Sequence, residues 1–253
     1  EKPKYYYGPA EQPEPDPRYN AQTAELICAH LIRNYQFARD IDWNVNPTEN
    51  QDREWTWGLN RHYHFVDLAR AYWYTGQDRY AEEFACQLLD WLIDMQVPEG
   101  ESGWTARYSS NGWRTIETGI RMFSTWIPSW FYLQNAEGFM VDARISFLKS
   151  LIEHARYLYK FNTSGDNGGL EHNWCVMEFN GLFHIGLLFP EFKEANQWLE
   201  RAVLGLTNAA ERQIYPDGAQ WELAPGYHNT VLSNFLQSYR LAHHNDLPLP
   251  IAK

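Results

Sequence analysis

Apolar residues recur at helical spacing along most of the chain, and almost no segment alternates between apolar and polar residues as a half-buried strand does. After Asp78, for example, one stripe contains Tyr80, Phe84, Leu88 and Trp91. The pattern predicts eight helices, at residues 21–39, 56–75, 78–95, 115–133, 140–161, 171–188, 192–213 and 227–244. We therefore expect an all-α protein.

Turn residues separate these segments and indicate how the helices pair. Gly76 follows Thr75 at the end of one predicted helix, and we expect Asp78 to cap the next. Antiparallel helix pairs of this kind close into an α/α toroid or stack as an open solenoid. Because no repeat unit recurs recognisably, we favour the toroid, as an incomplete barrel of antiparallel helix pairs.

The first residues differ from the rest of the chain. Residues 1–18 contain five prolines and no helical period, so we expect an extended arm there and the toroid domain at 19–253. The chain begins at Glu1 without Met, which fits either a trimmed chain or a mature exported protein. We expect a periplasmic or secreted location.

Composition narrows the classes of function. The 253 residues have a net charge of −11 and no basic tract, so we do not expect a nucleic-acid partner. The three cysteines are too widely spaced for a disulfide framework or a metal site, and no apolar run is long enough to span a membrane. The 12 Trp, 16 Tyr and 13 Phe fill a core first, but they also supply flat faces for stacking against sugar rings.

Two charged or polar stretches are candidates for ligand contact. Asn60 and His64 lie four residues apart and share a helix face, which makes them a candidate substrate-facing pair. Arg114, Glu117 and Arg121 form one stripe of a predicted helix. That stripe is either a solvated ladder of ion pairs or a wall of the toroid cavity, with an arginine held by Glu117 and aimed at a substrate anion.

The strongest site candidate has two parts, at residues 168–182 and 215–229. His172 and Asn173 open one predicted helix, and Tyr227 and His228 open another after Pro225-Gly226. Free N–H groups and the positive dipole end make a helix start a favourable place to receive a carboxylate. We expect both pairs on one rim of the same cavity.

Several stretches together resemble a known family. WGLNRHYHFVDLARAYWYTGQDRYAEEF, WRTIETGIRM, EHNW, LLFPEFKEANQW and YPDGAQWELAPGYHN look like the helical domain of heparinase II/III-type polysaccharide lyases, in order and over nearly all of residues 50–240. The resemblance implies an α/α toroid and a uronic-acid-containing polysaccharide or oligosaccharide as substrate. It is much less specific for which uronate glycan is cleaved.

The resemblance also implies roles for individual residues. Asn173, with His172 beside it, would bind and neutralise the uronate carboxylate, and Tyr227 would act at C5 and at the leaving O4. Further substrate contacts are expected from eight polar or aromatic residues of the matching stretches: Arg114, Glu117, Arg121, Asn60, His64, Trp174, Glu222 and His228. No metal and no cofactor is expected in this domain.

The family's C-terminal β-sandwich contributes at least one further catalytic histidine. No strand-rich segment follows the last predicted helix, so we expect this chain to lack that domain. Two other functions stay open. A glycoside hydrolase would need paired carboxylates, for which the candidates are Glu117, Glu171 and Glu222. A helical domain that binds a glycan or a protein without chemistry is the third interpretation.

Overall fold

The computed structural model describes residues 21–165 and 172–251, and within them the chain is largely helical. The predicted arm at residues 1–18 and the candidate Glu171 lie outside the described residues. In chain order the helices are α1 Ala21–Cys28, α2 Arg53–Asn60, α3 Tyr63–Thr75, α4 Asp78–Asp94, α5 Gly100–Ser109, α6 Thr115–Ile120, α7 Ile127–Leu133, α8 Val141–Phe161, α9 Asn173–Leu188, α10 Ala195–Gln213 and α11 Pro225–His244.

The helix predicted over 21–39 ends at Cys28, and the prediction is wrong for the rest of that segment. A small antiparallel hairpin follows, with β1 at Leu31–Ile32 and β2 at Tyr35–Gln36. Arg33 and Asn34 between the strands have φ of 54° and 61°. Two consecutive left-handed residues form the kind of tight turn that joins antiparallel strands and that no helix can continue through.

The single helix predicted over 56–75 is in fact two helices, α2 and α3. His62 lies between them with φ of 56°, a left-handed conformation that breaks the helix. The C-terminal end of α3 is as predicted, because Gly76 caps it with φ of 65°. Asp78 does not cap α4 with its side chain and instead accepts a hydrogen bond from the Gly138 N–H at 3.0 Å.

The helices form two layers, as expected for an incomplete α/α toroid. An inner layer consists of α3, the α6–α7 rod, α9 and α11, and each of the first three packs against an outer helix, α4, α8 and α10 respectively. Helices α6 and α7 are joined by a π-helical turn at Arg121–Trp126. Nearly all of α9 is buried, because it contacts α6, α8, α10 and α11.

The inner helices α6 and α9 approach each other closely through glycines. A Cβ on Gly119 would lie 2.6 Å from the Met177 carbonyl oxygen, and one on Gly181 would lie 2.7 Å from the Gly119 Cα. Side chains at either position would force the helices apart, so this crossing requires glycine. The close contact fixes the start of α9 relative to α6.

Candidate functional site

The start of α9 carries a hydrogen-bonded network centred on Asn173 and Glu222. The Glu222 carboxylate accepts from the Asn173 backbone N–H at 3.1 Å and from Asn173 Nδ2 at 2.9 Å to Oε1 and 3.0 Å to Oε2. Gln220 Nε2 donates to the same carboxylate at 2.8 Å. Glu222 therefore occupies the N-terminus of α9, where unpaired backbone N–H groups favour an anion.

This contact determines how the Asn173 amide is oriented. A carboxylate only accepts hydrogen bonds, so Asn173 must turn Nδ2, and not Oδ1, toward Glu222. One amide hydrogen directed at the carboxylate accounts for both distances, which leaves the second amide hydrogen for another acceptor. Asn173 is 6% exposed, so a ligand would reach only the edge of this amide.

The starts of α9 and α11 lie at the same end of the domain. Asn180 Nδ2 donates to Asn234 Oδ1 at 2.8 Å, and Asn173 contacts Glu222 just before α11, so the two helices run in the same direction. Asn173 lies seven residues before Asn180, and Tyr227 lies seven before Asn234, which is two turns in each helix. Both side chains therefore project from the facing sides of these helices, and Tyr227 is 51% exposed.

The histidines of the two predicted pairs are placed differently. His172 is the residue before α9 and its ring centroid is 6.0 Å from that of Trp174. His228 lies on another face of α11 from Asn234 and lines an apolar cavity with Leu232 and Tyr239. The expectation that His228 shares a cavity rim with Asn173 is therefore corrected.

Glu117 is the centre of a buried ion-pair cluster. It accepts hydrogen bonds from Arg114 Nη2 at 2.6 Å and from Arg61 Nη2 at 2.8 Å, and it is fully buried. The Arg114 guanidinium carbon lies 3.3 Å from the ring centroid of Trp57 and 4.9 Å from that of Trp174, which follows Asn173. The solvated-ladder interpretation of the stripe is therefore wrong, and Arg114 is held by Glu117 beside the start of α9.

Arginines and aromatic rings alternate along this end of the domain. Arg107 lies over the rings of Trp104 and Tyr108 at 4.9 and 4.5 Å, and the Tyr108 ring is 6.3 Å from that of Trp174. We call this surface the arginine–aromatic rim, which comprises Trp57, Trp104, Arg107, Tyr108, Arg114 and Trp174. Trp104 and Tyr108 are both more than two-fifths exposed, so the part of each ring that Arg107 does not cover is accessible to a ligand.

Three of the predicted substrate contacts are core residues instead. Asn60 is fully buried, donates to the Trp43 carbonyl and accepts from Trp91 Nε1. His64 is hydrogen-bonded to Gln87 at 3.0 Å, and burial lowers the pKa of His64 to about 3, so its ring is neutral. The two residues make no substrate-facing pair, because their polar atoms are used within the protein.

Arg121 is the third corrected residue. Its guanidinium is fully buried, donates to the Asn60 carbonyl at 3.0 Å and to His154 Nε2 at 3.2 Å, and lies 4.6 Å from the Trp91 ring centroid. Burial lowers the pKa of Arg121 to about 9. Arg121 therefore points away from Arg114 and stabilises the core, and it does not extend the charged stripe to a ligand.

Sequence reasoning missed most of the arginine–aromatic rim. Trp104, Arg107 and Tyr108 lie at i, i+3 and i+4 on α5, a spacing that places them together once the helix is known. Helix α5 itself was not predicted, because Gly100 and Gly103 weaken the helical pattern. Arg61 was overlooked beside the two histidines that follow it.

The described residues offer little for the other chemistries considered. Glu117 and Glu222 are each committed to a separate hydrogen-bonded group, so they do not form the facing pair that a glycosidase needs. Within the described ranges, no group of three His, Cys, Asp or Glu side chains is arranged to hold a metal ion. None of the described helices is long and apolar enough to cross a membrane.

Comparison with known proteins assigns most of the chain to one family. The sequence model of the family described as heparinase II/III N-terminus matches residues 23–251. The chain is 27% identical over 237 residues to a heparin-sulfate lyase of Pedobacter heparinus, covering 91% of this chain and 34% of that protein. It is 26% identical over 226 residues to a heparin-sulfate lyase of Bacteroides stercoris, covering 83% of this chain and 32% of that protein.

A solved structure agrees with the fold. The crystal structure of a mutant heparan sulfate lyase HepC from Pedobacter heparinus superposes with a TM-score of 0.73 at 25% identity, covering 98% of this chain and 39% of that chain. The chain thus spans about a third of the length of the curated relatives it matches.

Proposed function

Since the chain belongs to the heparinase II/III N-terminal family, we propose that it is the helical catalytic domain of a polysaccharide lyase that cleaves uronic-acid-containing glycans by β-elimination. The observation that carries the proposal is the Asn173 amide, oriented by Glu222, at the same end of the domain as the exposed Tyr227. The similar proteins of Bacteroides stercoris and Pedobacter heparinus are heparin-sulfate lyases, which supports this substrate class.

The first role is to stabilise charge on the substrate. The C5 hydrogen of a uronic acid lies next to a carboxylate and is barely acidic while that carboxylate keeps its full charge. Removing this proton produces a dianionic, enolate-like transition state. The second Nδ2 hydrogen of Asn173 donates to the substrate carboxylate, and this bond strengthens as charge builds up in the transition state. Glu222 keeps the donor fixed, so no reorganisation is needed during the reaction.

The second role is to move the proton. Tyr227 projects from the α11 face that packs against α9, and half of it is exposed to a ligand. In the proposed reaction Tyr227 acts as the phenolate: its oxygen takes the C5 proton, the C4–O4 bond breaks, and a C4–C5 double bond forms. The same hydroxyl then protonates the departing O4, which describes a syn elimination. An anti elimination needs a separate base. We assign that base to a region that the relatives have outside the third of their length matched by this chain.

The third role is to attract and orient an acidic chain. The ends of α2, α5 and α6 bring four arginines together with three carboxylates, namely Arg53, Arg61, Arg107 and Arg114 with Asp52, Glu54 and Glu117. This excess of cations favours a polyanion locally even though the chain is acidic overall, since charges beyond about 8 Å are screened at physiological ionic strength. The exposed faces of Trp104 and Tyr108 suit stacking against sugar rings. A periplasmic or secreted location fits such a substrate.

The direct test uses the full-length protein that contains this chain. Incubation with a panel of uronate polysaccharides should produce ultraviolet absorbance from the new C4–C5 double bond, whereas a hydrolase would release reducing ends without it. Tyr227→Phe should abolish the absorbance while leaving the melting temperature and substrate binding nearly unchanged, because the ring is kept. Wild-type turnover by Tyr227→Phe, or cleavage without absorbance, would reject the mechanism.

A further inference from the structure

A second cavity lies between inner helices α3 and α11 and the rod formed by the π-helical turn and α7. Its volume is about 710 Å³. Four of its lining residues carry basic side chains, namely Arg70, Arg240, His243 and His244. No acidic side chain occurs among the lining residues in the part of the chain that the structure describes. The cavity is therefore electropositive.

The other lining residues suit a sugar. Phe123 and Tyr132 contribute aromatic rings, and Ser124 and Ser233 contribute hydroxyl groups. Gln237 Nε2 donates to the Phe123 carbonyl at 3.3 Å, which ties α11 to the π-helical turn and fixes this wall. Aromatic faces with a few convergent polar groups are the usual make-up of a small-molecule site.

The two arginines are not neutralised by ion pairs. Within residues 21–165 and 172–251, neither Arg70 nor Arg240 forms a salt bridge. Asp67, one turn before Arg70, does not line the cavity, and burial raises the pKa of its carboxyl against the opposing effect of Arg70. Arg70 is half-buried and Arg240 is exposed, and neither guanidinium is held in a salt bridge, so both can bind an external anion.

A purely structural role explains only part of this arrangement. His243 and His244 lie in the last turn of α11, where positive charge is stabilised by the negative end of the helix dipole. Arg70, however, lies in the interior of α3 and gains nothing from a helix end. The helix dipole therefore does not explain why basic residues from both α3 and α11 line the same cavity.

We propose that this cavity binds an acidic saccharide through a sulfate or carboxylate group held between Arg70 and Arg240. The choice of a saccharide rests on the proposed function. Arg240 lies thirteen residues after Tyr227 on the same helix, which is about 20 Å along its axis. The cavity is therefore a second site, which would hold a distant part of the glycan chain or a released product.

The experiment is titration calorimetry of the full-length protein with a sulfated, uronate-containing disaccharide, which is too short to span both sites. Tyr227→Phe serves as the background so that no turnover occurs. We expect two disaccharides per protein in this background and one after adding Arg70→Gln and Arg240→Gln. Versions of the disaccharide that carry only the sulfate or only the carboxylate identify the group that is bound.

The controls separate a lost charge from a lost fold. Arg39→Gln removes the same charge from an exposed position elsewhere and should leave both sites within twofold of the background. Arg240→Lys keeps the charge and should retain most of the affinity. If the double variant does not fold, the single variant Arg240→Gln is the test, because Arg240 is exposed and its replacement should not disturb the fold. This variant should lower the affinity of the cavity for the disaccharide at least fivefold.

Unchanged stoichiometry and affinity in the arginine variants would overturn the proposal. So would equal binding of a neutral disaccharide, because the cavity would then not select for charge. The proposed function can fail separately. If no uronate polysaccharide yields the unsaturated product while disaccharide binding depends on Arg240, the saccharide-binding proposal is supported and the lyase proposal is rejected. If the unsaturated product forms and disaccharide binding does not depend on Arg70 or Arg240, only the proposal of saccharide binding in the cavity is rejected.

Discussion

The contact between Glu222 and Asn173 gives the sharpest prediction, because replacing one carboxylate oxygen of Glu222 by an NH₂ group should disorder the Asn173 amide. In Glu222→Gln, three donors still point at the side chain, namely Asn173 N, Asn173 Nδ2 and Gln220 Nε2. The glutamine keeps one acceptor oxygen and replaces the other by an NH₂ group, which also donates. At least one buried donor therefore loses its partner.

The expected magnitudes follow from that loss. An unsatisfied buried donor costs about 1–3 kcal/mol, and for a domain of this size 1 kcal/mol lowers the melting temperature by about 2–4 °C. Removing a fixed transition-state donor altogether costs about 10²–10³ in rate. Because Asn173 is still present but less well oriented, we expect kcat to fall about 10- to 100-fold with little change in KM.

The assay is steady-state formation of unsaturated product by the full-length protein, well below the melting temperature of each variant. Glu200→Gln, at an exposed position, makes the same charge change and should behave as wild type. If Glu222 acts through Asn173, then adding Glu222→Gln to Asn173→Ala should cost almost nothing further. The reasoning is refuted if kcat is unchanged in Glu222→Gln, or if that substitution lowers it equally in both backgrounds.

Two predictions concern stability. Burial raises the pKa of Glu178 to about 7. Between about pH 4.5 and 7 the unfolded chain has lost this proton while the folded chain keeps it, so the free energy of unfolding falls by roughly 3 kcal/mol as the pH rises. Glu178→Gln should flatten that slope in urea unfolding at pH 5 and pH 8, and an unaltered slope would assign it to other groups. Gly119→Ala should destabilise by about 1–3 kcal/mol, since its Cβ would lie 2.6 Å from the Met177 carbonyl. Gly226→Ala, with open space around it, is the matched control and should be neutral, so equal losses would contradict the packing argument.

The helical fold was largely predictable from the sequence, and the errors have a common physical cause. Most predicted helices agree with the structure to within about three residues, because burial of one apolar stripe determines them. The two large errors occur at Arg33-Asn34 and at His62, where residues other than glycine adopt positive φ. Asn and His give a much weaker signal of a break than glycine does, and Arg gives none, so these positions are hard to find from the sequence.

The candidate site was predictable only in part. Asn173 and Tyr227 are predicted as site residues because each opens a helix and matches a family motif, and both features are local in sequence. The partner of Asn173 was not predictable in the same way, since 49 residues separate Glu222 from it. Glu222 is predicted from the sequence as a substrate contact, and the structure shows that its carboxylate accepts hydrogen bonds from Asn173.

This placement changes how an anion can be recognised at the start of α9. The free N–H groups and dipole at the start of α9 predict a place for the substrate carboxylate, but Glu222 already occupies this position. A second carboxylate beside it is repelled unless cations lie within a few ångströms. Arg114, which is fixed by Glu117 and lies 4.9 Å from the Trp174 ring centroid, is a cation beside this helix end. We therefore infer that binding of an acidic glycan depends on the arginine–aromatic rim, and that Asn173 contributes mainly to the transition state.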